Sequence, residues 1–268
     1  MHPLIDKQTV KLIRQTGATF ANAPDRKEIL EQHGLPCDQK AENVIVTGCQ
    51  ILPAMPKVLQ ALAWVFDRAG FSYTFLSEEY CCGNNLYRPA IKAKDQEALA
   101  ECQDLSRTFV EQNINKARQL GASRLVIFCS PCYPIYKHAF PDENIVFYPT
   151  AIDECLPSLE RDMDIDYYAG CYRLHKKFAP VPMDLKGVSK CFSKIKGLGV
   201  HSISAPQCCY KPEGAAHMMN SVQTQTMVHV CTGCYFQALM NAPKDGKEPL
   251  NILMLPEFID NMLQEAKS

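Results

Sequence analysis

Three cysteine motifs occur twice in this chain, in the same order, and each copy follows a short apolar run. "NVIVTGCQ" (43–50) matches "DIDYYAGCY" (164–172), a strand pattern running into Gly-Cys. "FSYTFLSEEYCCGN" (71–84) matches "GVHSISAPQCCYK" (199–211), a strand, a short loop and a Cys-Cys doublet. "RLVIFCSPCYPIY" (124–136) matches "TMVHVCTGCYFQA" (226–238), a strand and then C-x-x-C-Tyr. The closing segments match as well: "NIVFYPTAIDECLPSLE" and "NILMLPEFIDNMLQE" each read as a strand, a proline and a short helix. A repeat of this length means that one folding unit is built twice.

The repeat divides the chain into an N-terminal helical extension (1–42), a first half (43–160) and a second half (161–268). Helical stretches separate the strands. Residues 57–69 place Val58, Leu59, Leu62, Val65, Phe66 and Ala69 on one stripe, and Gly70 ends the run. Residues 94–120 read as a longer amphipathic helix, with a shorter counterpart in the second half. In the extension, Leu4, Ile5, Val10 and Ile13 lie on one side of a short amphipathic helix, and "PDRKEILEQHG" (24–34) is helix-like. Strand–helix alternation predicts an α/β fold of two pseudo-symmetric lobes. Each is a small, largely parallel sheet flanked by helices, with its cysteines at strand ends. Ligands of open α/β sheets collect beyond the carboxyl ends of strands, so cysteines far apart in sequence can converge there.

Ten of the fourteen cysteines belong to the repeated motifs. They are Cys49, Cys81, Cys82, Cys129 and Cys132 in the first half, and Cys171, Cys208, Cys209, Cys231 and Cys234 in the second. Aligning the doublets sets Gly70 against Gly197 and Trp64 against Cys191, both on an apolar helix stripe. Cys155 aligns with Met262, and Cys102 lies on the inward face of its own helix. Cys102, Cys155 and Cys191 therefore read as core thiols, since free cysteine packs as a small hydrophobe. Cys37 has no counterpart. The repeated set asks for more than packing. Neighbouring cysteines sit too close for an unstrained disulfide. Zinc needs four tetrahedral ligands and would leave a fifth thiol over. A thioredoxin-like dithiol needs neither the doublet nor the Gly-Cys. An iron–sulfur cluster is the better candidate, because bridging sulfide lets several irons share gathered thiolates.

Bulk composition removes other classes. The net charge is −1, so no basic excess is available for nucleic-acid phosphates. No apolar run reaches membrane-spanning length, and the N-terminus lacks the apolar core of a signal peptide. Many cysteines with no export signal point to a reducing, cytoplasmic setting and to metal or redox work. The chain has no ferredoxin cysteine run, no G-x-G-x-x-G and no P-loop.

With Cys49, "CCG" 81–83 and "CSPC" 129–132, then Cys171, "CCY" 208–210 and "CTGC" 231–234, the chain resembles the CCG cysteine-rich domain family. The resemblance is nearest to the B-type component of heterodisulfide reductase, and it covers residues 43 onward. It implies a noncubane [4Fe-4S] cluster on each five-cysteine set, and a small-molecule disulfide or thiol substrate cleaved or formed between the two. It also implies partner subunits that supply electrons, a ferredoxin-like iron–sulfur protein and a flavoprotein. Two alternatives stand beside it. One is an electron-relay subunit of a quinone- or flavoprotein-linked dehydrogenase. The other is a zinc-stabilised interaction protein with no redox role. Tyr210 departs from the family pattern, standing where the second motif has glycine in the first. "CYRLHKKF" offers Arg173, His175, Lys176 and Lys177 as a basic turn, in which His175 is the expected catalytic proton donor, its ordinary pKa suiting that work.

Overall fold

The computed structural model describes residues 1–242 and 249–265, so 243–248 and 266–268 of the second predicted half lie outside the described residues. Residue contacts divide the chain into two compact units. One comprises 1–60, 72–148 and 174–184; the other comprises 61–71, 149–173 and 185–268.

In chain order the first elements are α1 (Lys7–Thr16), α2 (Arg26–Gln32), β1 (Asn43–Val46), α3 (Ile51–Ala54), α4 (Pro56–Arg68) and β2 (Tyr73–Phe75). There follow α5 (Tyr87–Ala93), α6 (Gln96–Gln119), β3 (Arg124–Ile127), α7 (Cys132–Ala139), β4 (Ile145–Phe147) and α8 (Tyr148–Cys155). Then come β5 (Leu159–Tyr168), α9 (His175–Phe178), α10 (Lys186–Ser193) and β6 (Ile195–Ile203). The chain continues through α11 (Pro212–Asn220), β7 (Thr226–His229), α12 (Thr232–Asn241), β8 (Asn251–Met254) and α13 (Leu255–Glu265).

The first unit holds a four-stranded sheet in the order β2-β1-β3-β4. Every pairing is parallel, with Ile45 opposite Phe75 and Val126, and Ile127 opposite Phe147. All four residues of β1 are buried, the apolar run expected of a parallel strand covered on both faces. The second unit repeats the order as β6-β5-β7-β8, again all parallel. The expected α/β architecture is present in both copies. Local chemistry starts the helices: Asp6, Asp25 and Asp95 each accept a backbone N–H at the first turn of α1, α2 and α6.

Three local expectations differ. α8 ends at Cys155, and Leu159 and Glu160 already belong to β5, because Pro157 cannot continue a helix. Gly197 does not end a helix as Gly70 does. It sits within β6 at φ +87, where the β5–β6 register shifts, and left-handed glycine suits such a bulge. Trp64 is 43% exposed, whereas its aligned partner Cys191 is fully buried, so the two do not share an apolar stripe.

Candidate functional site

Parallel strands in the order β2-β1-β3 present their carboxyl ends along one edge of the sheet. From that edge Gly48-Cys49 follows β1, Cys81-Cys82 follows β2, and Cys129 and Cys132 follow β3 and open α7. The sulfurs meet. Cys49 Sγ lies 3.1 Å from Cys81 Sγ, and Cys82 Sγ lies 3.2 Å from Cys132 Sγ. Cys82 lies close enough to Cys81, and Cys129 close enough to Cys132, to shift that neighbour's acidity. The five thiols thus form one continuous chain of neighbours, 49–81–82–132–129. In the second unit the equivalent chain is 171–208–209–234–231. Cys209 Sγ stands 3.5 Å from Cys234 Sγ, and Cys171 lies close enough to Cys208, Cys208 to Cys209, and Cys231 to Cys234 to shift that neighbour's acidity. Each compact unit therefore gathers its own five cysteines, in the same order.

Backbone room at the sites is made by glycine. Gly48 and Gly170, each just before the first cysteine of its set, adopt φ +91 and +92. A Cβ on Gly48 would stand 2.6 Å from Cys129 Cβ and 3.0 Å from its sulfur. A Cβ on Gly170 would stand 3.2 Å from Cys234 Sγ. Only glycine tolerates that backbone together with that proximity. At the first doublet the Gly83 amide donates to Cys81 Sγ at 3.4 Å. At the second doublet Tyr210 replaces this glycine and is 65% exposed; its hydroxyl end lies 3.2 Å from where a Cβ on Gly233 would stand. The side chain thus points outward over the C-x-x-C backbone and does not crowd the thiols.

The sulfur contacts set the acidities. Cys49 and Cys132 are pushed up, first by thiol hydrogen bonds and then by burial. Cys82, which receives hydrogen bonds from Cys132 and Cys81, is drawn down to about 6. The pattern recurs, with Cys234 pushed up by its bonds to Cys209 and Cys231, and Cys209 drawn down by Cys234. Deprotonating all five would place several negative charges in a buried nest, which a multivalent cationic centre would balance. Among the described residues no group of three or more His, Cys, Asp or Glu side chains surrounds a point as the ligands of a single ion do. A string of five thiols fits a centre with several metal atoms better than one ion.

Sequence reasoning missed the residues that brace the first nest. Glu79, 3% exposed, accepts from the Thr47 and Gly48 amides at 2.8 and 2.6 Å and from Thr47 Oγ1 at 2.9 Å. Arg26 Nη2 donates to the same carboxylate at 2.9 Å. The doublet loop is thereby tied to the Gly-Cys turn. Asn113 of α6 clasps Tyr80, accepting its N–H and donating to its C=O at 2.7 Å each. Ser106 donates to Cys82 O at 2.7 Å, and Cys81 N donates to Gly17 O at 2.7 Å. The only available signal was an acid two residues before a doublet, and the second copy has Pro206 there.

The remaining candidates separate from the nests. Cys102 and Cys191 are fully buried, and the thiols of Cys102, Cys155 and Cys191 donate to the carbonyls of Leu86, Ala151 and Pro149. Cys37 forms an isolated parallel bridge with Phe75 at the sheet edge. Arg173, Lys176 and Lys177 are exposed. His175 packs its ring near Phe178, and burial pushes its pKa down to about 4, so near neutral pH it is an uncharged imidazole. His229, at the end of β7, is wholly buried, and among the described residues neither ring nitrogen has a hydrogen-bond partner. Burial pushes its pKa down to about 3.

Comparison with known proteins follows the same lines. Residues 44–134 match the family model described as the cysteine-rich domain, CCG. The EtfAB:quinone oxidoreductase of Syntrophomonas wolfei is 28% identical over 111 residues, covering 40% of this chain and 14% of that protein. One component of the dihydromethanophenazine:CoB–CoM heterodisulfide reductase of Methanosarcina mazei is 26% identical over 126 residues, 46% of this chain and 29% of that protein. One component of the CoM/CoB fumarate reductase of Methanothermobacter marburgensis is 22% identical over 237 residues, 80% of this chain and 45% of that protein. The chain thus spans less than half the length of each of these relatives. Residues 44–134 are a CCG cysteine-rich domain, and the chain is a distant homologue of components of heterodisulfide reductase and of CoM/CoB fumarate reductase.

Proposed function

We propose that this chain is an iron–sulfur redox subunit that reduces or forms a thiol disulfide, with one cluster held by Cys49, Cys81, Cys82, Cys129 and Cys132 and another by Cys171, Cys208, Cys209, Cys231 and Cys234. The observation that carries this reading is the matching order in which each set of five thiols touches. By analogy with the heterodisulfide reductase family, the clusters are of the noncubane [4Fe-4S] type. Such a centre supplies single electrons. Two electrons and two protons convert one disulfide into two thiols, and the reverse forms the bond.

The chain's own residues hold the thiols and control what reaches them. Glu79 and Arg26 fix the Gly48 turn against the first doublet, and Tyr210 lies across the second C-x-x-C loop. His175, neutral at pH 7, serves in this reading as a proton relay and not as a stored acid. Electrons come from partner subunits, a ferredoxin-like iron–sulfur protein and a flavoprotein. Among the described residues no helix is long and apolar enough to cross a membrane.

Anaerobic purification followed by iron and sulfide analysis tests the cluster assignment. Roughly four irons per nest, with matching acid-labile sulfide, is the expected result for a cluster of this class. Zinc without sulfide would remove it in favour of a zinc-stabilised interaction protein. The match to a quinone oxidoreductase supports a second reading, an electron relay. Turnover of an organic disulfide with a reduced dye separates the two, because a relay carries full clusters and leaves the disulfide intact.

A further inference from the structure

A cleft of about 270 Å³ opens on the first unit between the end of α1, the start of α2 and residues 77–80. A smaller recess of about 30 Å³ shares Gly17, Ala23, Arg26 and Glu79 with it and ends on Cys49 and Pro53. Cys49 is the partly exposed member of the first nest; the other four cysteines are buried. The cleft and recess together form a path from solvent to that nest. In the second unit Thr47 and Glu79 align with Ala169 and Pro206, and residues 1–42 have no repeat, so the residues that line this path are not repeated there.

Arg26 is the polar group on this path. Its Nη2 is spent on Thr47 Oγ1 at 3.0 Å, Leu76 O at 3.2 Å and Glu79 at 2.9 Å. Its Nη1 is buried with no hydrogen-bond partner among the described residues. A buried donor left unmade is costly, so the position is suited to an acceptor brought by a ligand. Charge decides which acceptor. Glu79 already neutralises Arg26, Glu78 is paired with Lys116, and the lining adds the carboxylate of Asp25. An anionic group would enter an excess of negative charge, whereas a neutral carbonyl takes the hydrogen bond without that penalty. The recess beyond Arg26 holds little more than one sulfur-sized group.

We infer that this cleft binds the neutral amide-bearing arm of a small organic thiol or disulfide, its carbonyl on Arg26 Nη1 and its sulfur toward Cys49. The inference rests on the disulfide-redox reading for the sulfur's fate, but the amide contact stands apart from it. N-acetylcysteamine and its oxygen analogue N-acetylethanolamine are the probes, with mercaptoacetate as the anionic control, titrated into the anaerobically isolated protein by calorimetry and ligand-observed NMR. Both amides bind the wild-type protein. Ala23→Leu narrows the shared lining, leaves iron content unchanged and weakens both by about tenfold or more. Arg26→Lys keeps a partner for Glu79 but loses Nη1, and weakens both amides by a similar factor. Only the thiol perturbs the electron paramagnetic resonance signal of the first nest. Failure of either amide to bind, equal binding by mercaptoacetate, or unchanged affinity in Ala23→Leu overturns the inference and leaves the cleft to water. Retained N-acetylethanolamine binding in a protein without iron or sulfide keeps the subsite and removes the redox reading instead.

Discussion

Gly48 and Gly170 share a backbone conformation and differ in what presses on them. An alanine at either meets the cost of a left-handed φ near +91, on the order of 1–3 kcal/mol for a side chain held in a sparsely populated region. Gly48→Ala also drives a methyl to 2.6 Å from Cys129 Cβ, where Gly170→Ala meets Cys234 Sγ at 3.2 Å and Cys231 Cβ at 3.4 Å. Iron analysis of the two variants is expected to show the larger loss for Gly48→Ala; equal retention of iron would mean that the turns yield freely. His229 gives a second contrast inside the repeat. Its counterpart is Ile127, equally buried, yet His229 carries two ring nitrogens without partners among the described residues. Replacing unsatisfied buried polar atoms by an apolar side chain removes a desolvation cost of about 1–3 kcal/mol. His229→Ile is therefore expected to raise the urea midpoint, and a fall would show that the imidazole has an unseen partner. At this scale the cysteines were legible, because a reactive side chain repeated in a fixed order carries its own signal. Glu79 was not: nothing local distinguishes an acid that faces solvent from one paired with Arg26, 53 residues away.

Elements were legible where their period was clear and blurred where a turn decided the outcome. The amphipathic stripe of α6 and the buried run of β1 matched their patterns, whereas the α8–β5 boundary depended on Pro157 and the course of β6 on a bulge at Gly197. Function at the first nest also depends on how elements are tied together. Glu79 joins the loop after β2, the turn after β1 and the first residue of α2 through a single carboxylate. Removing one partner of a buried ion pair leaves an uncompensated charge and costs about 3–5 kcal/mol. Glu79→Gln keeps the shape but strands Arg26 and turns an amide N–H toward groups that need an acceptor. It is expected to destabilise the first nest selectively. Iron per chain falls towards half and the resonance of the second nest persists. Loss from both nests together would mean that the carboxylate supports folding generally and not this site.

For the whole molecule, the buried His229 and the partly buried His175 make stability depend on pH with a definite sign. His175 and His229 are held neutral by burial, with folded pKa values of about 4 and about 3. In the unfolded chain each returns to about 6.5. As pH falls below about 6.5 the unfolded state takes up protons that the folded state refuses, so stability declines through that window. The decline ends only when the folded groups protonate, near pH 4 for His175 and pH 3 for His229. Asp166 acts in a lower range. Although burial opposes it, the hydrogen bond from His201 leads the contacts that hold its pKa below the usual value, so its contribution is kept above about pH 4 and lost in acid. Between these limits each histidine contributes a slope approaching about 1.4 kcal/mol per pH unit. Anaerobic thermal unfolding at pH 7, 6 and 5, chosen to bracket the expected pKa, compares the wild type with His175→Leu and His229→Ile so that cluster contributions common to all cancel. Each variant is expected to lose less stability on acidification than the wild type, and the double variant least of all. Parallel curves would place the proton uptake elsewhere. A His175 variant that nevertheless lowers disulfide turnover equally at every pH would fit a neutral relay, because a stored acid near pH 6.5 would add an inflection that only the wild type shows.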